Sequence, residues 1–99
     1  MAEFFISEAK KKARQERFRR ELRRVRDTHT RDELAGQTPK QMSKRKLESA
    51  DIETLALWYL AAQVEMDYYS NWAQARTASN RLDRIQDQIK ERLGEECLI

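Results

Sequence analysis

The fold is decided by residues 50–93, which read ADIETLALWYLAAQVEMDYYSNWAQARTASNRLDRIQDQIKERL. The stretch contains neither glycine nor proline, and its apolar residues recur at intervals of three and four, which is typical of an amphipathic helix. Ser49, Asp51 and Glu53 are residue types that cap a helix or stabilise its positive end, and Gly94 can end one. The sequence therefore predicts a long amphipathic helix from about 50 to 93 within an all-α fold.

The length of this segment raises a packing problem. A single helix over the range would be about 65 Å long, whereas a compact chain of 99 residues has a radius of gyration of about 13 Å. We therefore expect either a break, placed around Thr77-Ala78-Ser79-Asn80, or a second copy or partner that covers the helix.

Two apolar stripes run along the segment. One is broad and aromatic and occupies the first half, whereas the other is narrow and repeats in heptads over the whole length. Either a coiled coil or a bundle helix buried on two sides fits this pattern. The narrow stripe is the predicted self-association or partner seam, and its main members are Leu57, Val64, Tyr68, Asn71, Leu82, Ile85 and Ile89.

Five of the eight aromatic residues lie between Trp58 and Trp72. Such a cluster can stack bases, but Glu53, Glu65 and Asp67 would repel phosphate, so we expect the aromatic side chains to pack in the core. Glu65 falls between the two tryptophans on the helix and is predicted to pair with an arginine or to reach water at the rim. Arg76 lies one turn beyond Trp72 and could stack on it.

The N-terminal third predicts a different helix, from after Ser7 to about residue 27 or 28. Ten of the seventeen residues from Lys10 to Arg26 are basic, and a narrow seam of Phe18, Leu22, Val25 and His29 is left for packing. The predicted contacts to nucleic acid or to an acidic partner come from this helix and from a second basic group. They are Lys10, Lys11, Lys12, Arg14, Arg17, Arg19, Arg20, Arg23, Arg24, Arg26, Lys44, Arg45 and Lys46.

Charge divides the chain into two parts. Residues 1–47 carry a net charge of +8 and residues 48–99 a net charge of −5. We interpret residues 1–36 as a basic helical arm and residues 37–99 as a helical body. The arm is then suited to an acidic partner, unless the two halves attract each other within one fold or dimer.

Short connecting helices are predicted between the two long ones. Thr30 and Glu33 fit a capping box, and Gly36 offers a left-handed stop. Thr38-Pro39-Lys40-Gln41 gives a second start signal, with a capping hydroxyl and proline at the first helical position.

The composition excludes several classes of function. The single histidine, His29, and the single cysteine, Cys97, leave no ordinary zinc site or disulfide framework, and the glycines are too few for a phosphate loop. No apolar run approaches the roughly 20 residues that span a bilayer. We predict no catalytic activity, no cofactor, no metal and no membrane contact, and a cytoplasmic location, in the host if the source is viral.

One short stretch is similar to a known family. Leu47-Glu48-Ser49-Ala50-Asp51, followed by Leu55, Trp58 and Tyr59, resembles a helix opening in small terminase subunits of tailed phages. Those are helical, oligomeric DNA-recognition proteins, and the resemblance is compatible with a phage or bacterial source. The match covers about a quarter of the chain and consists of a cap and helix periodicity. The upstream segment with Trp and Pro that the family would show is missing.

Two functional hypotheses follow. The first is a small, homo-oligomeric, nucleic-acid-associated protein whose basic helix contacts the phosphates of DNA or RNA without sequence specificity. The second is a protein–protein interaction module, such as a phage-type inhibitor, adaptor or scaffold, that binds an acidic protein surface without nucleic acid.

Overall fold

The computed structural model describes residues 2–69 and 71–94, with side chains from residue 9 onward. Within these ranges the chain forms five helices and no strand, which confirms the all-α prediction. The helices are α1 (Ala2–Thr28), α2 (Arg31–Leu34), α3 (Lys44–Ser49), α4 (Ile52–Tyr68) and α5 (Trp72–Leu93).

The helix predicted over about 50–93 is two helices that fold back on each other. α4 ends at Tyr68 and α5 begins at Trp72. The side chain of Asn71 caps α5, since its Oδ1 accepts a hydrogen bond from Ala73 N at 2.8 Å. The break predicted at residues 77–80 is wrong, because α5 passes through that stretch and buries Ala78 there.

The three long helices form a bundle. α1 runs in the same direction as α4, since Arg17 pairs with Glu53 near the start of α4 and Arg26 lies beside Asp67 near its end. α5 runs back antiparallel to α4, so that its last turn lies beside Ala50. The connection from α1 to α4 must therefore return along the bundle before α4 can begin.

One hydrophobic core holds all five helices together. The seam predicted on α1 is confirmed, because Phe18, Leu22 and Val25 are buried and His29 is half-buried. Phe18 lies against Tyr59 of α4, with ring centroids 6.2 Å apart. Residues 1–36 and 37–99 therefore have no separate cores among the described residues. The buried core residues include Phe18, Leu22, Val25, Leu34, Met42, Leu47, Leu55, Leu60, Leu82, Ile85, Ile89 and Leu93.

The helix starts follow the capping signals in part. The capping box of Thr30 and Glu33 is present at α2, and Gly36 after α2 has a φ of 91°. α4 begins close to the signal predicted at Ser49, but its cap is Asp51. α1 begins at Ala2 instead of after Ser7. The start predicted at Thr38-Pro39 is wrong, since α3 begins at Lys44 after the cap residue Ser43.

Residues 35–51, the crossover segment, return along α5 and are held there by three arginines. Arg81, Arg84 and Arg92 share one face of α5, and each donates side-chain hydrogen bonds to main-chain carbonyls of the crossover segment. These contacts supply side-chain donors to carbonyls before, within and after the short helix α3. The accepting carbonyls belong to Lys40, Met42, Leu47, Glu48 and Ala50.

No helix in the described part of the chain has the length and apolar character that crossing a membrane requires.

Candidate nucleic-acid interface

The basic residues of α1 lie on the surface. The packing seam takes up one narrow side of the helix, and every lysine and arginine from Lys10 to Arg26 is exposed. The positive charge therefore faces outward along the part of α1 whose side chains are described. The exposed cations are Lys10, Lys11, Lys12, Arg14, Arg17, Arg19, Arg20, Arg23, Arg24 and Arg26.

Arg17 and Arg24 are examples of α1 arginines that pair with acidic residues. Arg17 pairs with Glu53 of α4, and Arg24 donates to Glu21 of its own helix at 2.8 Å. Both arginine side chains are more than half exposed, so water screens these pairs and their contribution to stability is small. Pairs as exposed as these leave most of the positive electrostatic potential of α1 directed at solvent.

Residues 9–14 of α1 are exposed on every side of the helix. Gln15 is half-buried and donates a hydrogen bond to the carbonyl of Leu93, the last residue of α5. Lys11 lies four residues earlier on the same side of the helix and is exposed, as are all residues from 9 to 14. From Ala9 to Arg14, α1 therefore presents its whole circumference to solvent.

The second basic group lies on a different element. Lys44, Arg45 and Lys46 form the first turn of α3 and are exposed. Lys44 is 3.9 Å from Glu48 one turn later, an exposed pair of little energetic weight. Because α3 packs against α5, the structure presents basic residues on two separate elements.

The predicted self-association seam does not form one continuous stripe. Leu82, Ile85 and Ile89 on α5 are buried in the chain's own core and so are not exposed to a partner. Leu57 and Val64 on α4 are half-buried and pack against that core. The remaining two members lie at the turn between α4 and α5, where Tyr68 is exposed and Asn71 caps α5.

The aromatic residues divide between core and surface. Tyr59 is buried and Trp58 packs partly against the core, as expected. Trp72, in contrast, is 73% exposed and Tyr68 is 52% exposed, so core packing is wrong for these two. The predicted stacking of Arg76 on Trp72 is confirmed, with the guanidinium carbon 5.2 Å from the ring centroid.

Glu65 is completely buried, and its partners differ from the prediction. Its carboxylate accepts hydrogen bonds from Gly36 N at 2.7 Å and from the Thr38 hydroxyl at 2.8 and 3.0 Å. Arg81 reaches Thr38 Oγ1 at 3.3 Å and does not contact the carboxylate by a hydrogen bond. The arginine partner and the solvent-exposed rim position are therefore both wrong, and the crossover segment holds Glu65 instead.

Two ionisable groups at the helix ends have shifted pKa values. Hydrogen bonds from the side chain and backbone of Thr54 hold the pKa of Asp51 below its usual 3.8. A hydrogen bond to the Asp32 carboxylate raises the pKa of Tyr68 above its usual 10. The first shift reflects a helix cap, and the second arises at the last residue of α4.

The role of the α5 arginines was missed from the sequence. Arg81, Arg84 and Arg92 are spaced by three and eight residues, which puts them on one face of a helix. That spacing is visible in the sequence. The groups that the three arginines contact depend on the path of the crossover segment, which the sequence does not show.

Among the described residues, no group of three or more His, Cys, Asp and Glu lies together in a way that could hold a metal ion. Cys97 lies outside the described residues.

In comparisons with known proteins, the chain matches no protein-family model, no curated protein and no solved structure.

Proposed function

We propose that the chain binds nucleic acid through contacts between the exposed cations of α1 and backbone phosphates. One observation carries the proposal: α1 buries only a narrow seam, while every described lysine and arginine side chain on it is exposed. A helix of this kind presents many exchangeable cations to a polyanion, and that is the source of sequence-independent affinity.

Sequence readout is not part of the proposal. Gln15 is the only Asn or Gln between Lys10 and Arg26, and it donates to the Leu93 carbonyl. Side chains of those two types are suited to reading adenine edges, so few base contacts are available to this surface. The phosphate backbone is the feature that DNA and RNA have in common, and both are expected ligands.

The test is a titration of fluorescent duplex DNA and of single-stranded DNA and RNA at several salt concentrations. About six phosphate contacts give a slope of log affinity against log salt near −5 on duplex DNA and near −4 on single strands. A triple variant, Lys12→Ala, Arg20→Ala and Arg23→Ala, removes cations that face away from the seam. We expect it to reduce the duplex slope by roughly 2.7 units.

The control is Lys90→Ala, which removes an exposed cation from the last turn of α5. It should leave the salt slope unchanged, and a thermal melt of each variant should show that the fold is intact. Absence of binding to any of the three nucleic acids at about 50 mM salt overturns the proposal. An acidic protein surface would then be the remaining partner for the basic helix.

A further inference from the structure

The turn between α4 and α5 exposes an unusual amount of aromatic surface. Trp72 and Tyr68 are largely exposed, Met66 is 36% exposed, and Tyr69 is half-buried beside them. We call these four residues the aromatic turn. A tryptophan left this open to water loses the free energy that its burial would give, so the exposure is unfavourable for the isolated fold.

The rings of the aromatic turn are held in defined positions. Arg76 lies over the Trp72 ring, and the Asn71 cap fixes the first turn of the helix that carries it. Tyr68 and Tyr69 meet edge to face, with centroids 6.2 Å apart and planes at 82°. Because the aromatic rings are already oriented, this surface loses little conformational entropy when it binds a flat ligand.

The acidic residues near the turn are engaged by other groups. Glu65 is buried and accepts its hydrogen bonds from the crossover segment. Asp67 lies 3.9 Å from Arg31, and both side chains are exposed. Of the acidic residues that the sequence places near the aromatic cluster, Glu65 is therefore not exposed to phosphate, and Asp67 has a cation beside it.

Cations lie on both sides of the aromatic turn. Arg76 is on the Trp72 ring itself. On the α4 side, Arg26 and Arg31 line a cleft of about 280 Å³ together with His29 and Asp67. Arg26 belongs to α1, so the basic surface of that helix continues to the end of the bundle where the aromatic rings are exposed.

We propose that the aromatic turn stacks unpaired bases, and that the chain therefore prefers single-stranded nucleic acid to a duplex. The inference rests on the proposed function, because phosphates on α1 supply the binding that brings a strand to the turn. Bases of a single strand offer open faces to Trp72 and Tyr68, whereas bases within a duplex are already stacked on one another.

The experiment compares single-stranded and duplex oligonucleotides of equal length with wild-type protein and Trp72→Ala. Loss of one stacking contact should weaken single-strand affinity roughly tenfold or more, while duplex affinity and both salt slopes stay unchanged. Trp72→Phe keeps a ring and should retain most of the single-strand affinity. Because Trp72 is exposed, none of these substitutions should alter the thermal melt.

A direct readout uses the Trp58→Phe background, in which Trp72 is the remaining tryptophan of the two in the chain. Its fluorescence should be quenched by single strands and much less by duplex at equal saturation. Binding of both ligands with no effect of Trp72→Ala, or with an equal loss on both, overturns the stacking inference and leaves the proposed function standing. Failure of wild-type protein to bind any nucleic acid overturns the proposed function itself.

Discussion

The hydroxyl of Thr38 lies 2.8 Å from Oε2 and 3.0 Å from Oε1 of Glu65, in a region where the carboxylate is completely buried. A hydroxyl has one proton to donate, so Gly36 N–H is needed as the second donor to the same carboxylate. Arg81 in turn donates to Thr38 Oγ1 at 3.3 Å. This chain of hydrogen bonds joins α5, the crossover segment and α4.

Thr38→Val should destabilise the fold, because it removes one of the two donors to a buried carboxylate. We expect a loss of about 1–3 kcal/mol in the free energy of unfolding, measured by urea titration. Thr77→Val is the matched control: its exposed hydroxyl donates to Ala73 O within α5, and its loss should cost less than about 0.5 kcal/mol. Equal effects of the two substitutions would contradict this account of Glu65.

Arg92→Gln should loosen the corner between α3 and α4. Its guanidinium donates to the carbonyls of Ala50 at 2.5 Å and Leu47 at 2.6 Å, and also to that of Glu48. A shorter amide cannot reach all three, so we expect a loss of about 1–3 kcal/mol in denaturant titrations. Lys90→Gln, at an exposed position of the same helix end, should change stability by less than about 0.5 kcal/mol. A loss as small as this in Arg92→Gln would show that the crossover segment is held without that residue.

Asp51 should make stability depend on pH in the acid range. The hydrogen bonds from Thr54 depress its pKa in the folded chain, so its ionised form contributes stability that is complete above the usual value of 3.8. That contribution is lost as pH falls through the lower folded pKa. Asp51→Asn keeps a capping side chain without the charge, so the stability difference from wild type should be constant from about pH 5 to 7 and shrink below about pH 4.

The second variant at this position is Asp51→Ala, which removes the cap itself. It should cost about 1 kcal/mol near neutral pH relative to wild type and remain less stable than Asp51→Asn in acid. Thermal melts at a series of pH values measure both variants. A difference between wild type and Asp51→Asn that does not change with pH would contradict the charged cap.

Phe18→Ala tests whether α1 is integral to the fold. The ring is completely buried against Tyr59, so its removal should cost about 3–5 kcal/mol and lower the urea midpoint followed by tryptophan fluorescence. Phe18→Leu should give a smaller loss in the same direction. Arg20→Ala, on the exposed side of the same helix, should leave the midpoint within about 0.5 kcal/mol of wild type. An unchanged midpoint in Phe18→Ala would mean that α1 is a detachable arm.

Local sequence signals predicted a helix end correctly where a side chain close in sequence hydrogen-bonds the free backbone N–H groups of that end. The capping box of Thr30 and Glu33 is a short-range contact and is found where the residue types predict it. A helix also starts close to the predicted signal at Ser49, although Asp51 is the residue that caps it. The seam of Phe18, too, follows from helical periodicity alone. Such contacts involve residues three or four positions apart, so the rest of the fold hardly affects them.

The sequence-based predictions were wrong where a side chain expected to act locally makes its contact with another part of the fold. Thr38 is a residue type that caps helices and is followed by proline, but its hydroxyl donates to Glu65, 27 residues away. No helix begins at Thr38. Asn71 was assigned to an apolar seam, although its carboxamide satisfies the first N–H groups of α5. Once the chain turns at that residue, Trp72 is outside the core, which periodicity along one continuous helix could not show.

The arginine contacts of the crossover segment also have a consequence for chemical reactivity. Reagents such as phenylglyoxal attack guanidinium groups that are open to solvent. Arg81 and Arg92 are half-buried and have N–H groups engaged by carbonyls or by Thr38, whereas Arg20 and Arg23 on α1 are exposed. Limited modification followed by peptide mass analysis should therefore label the exposed arginines of α1 before Arg81 and Arg92, and labelling at Arg92 should appear only as the crossover segment detaches from α5.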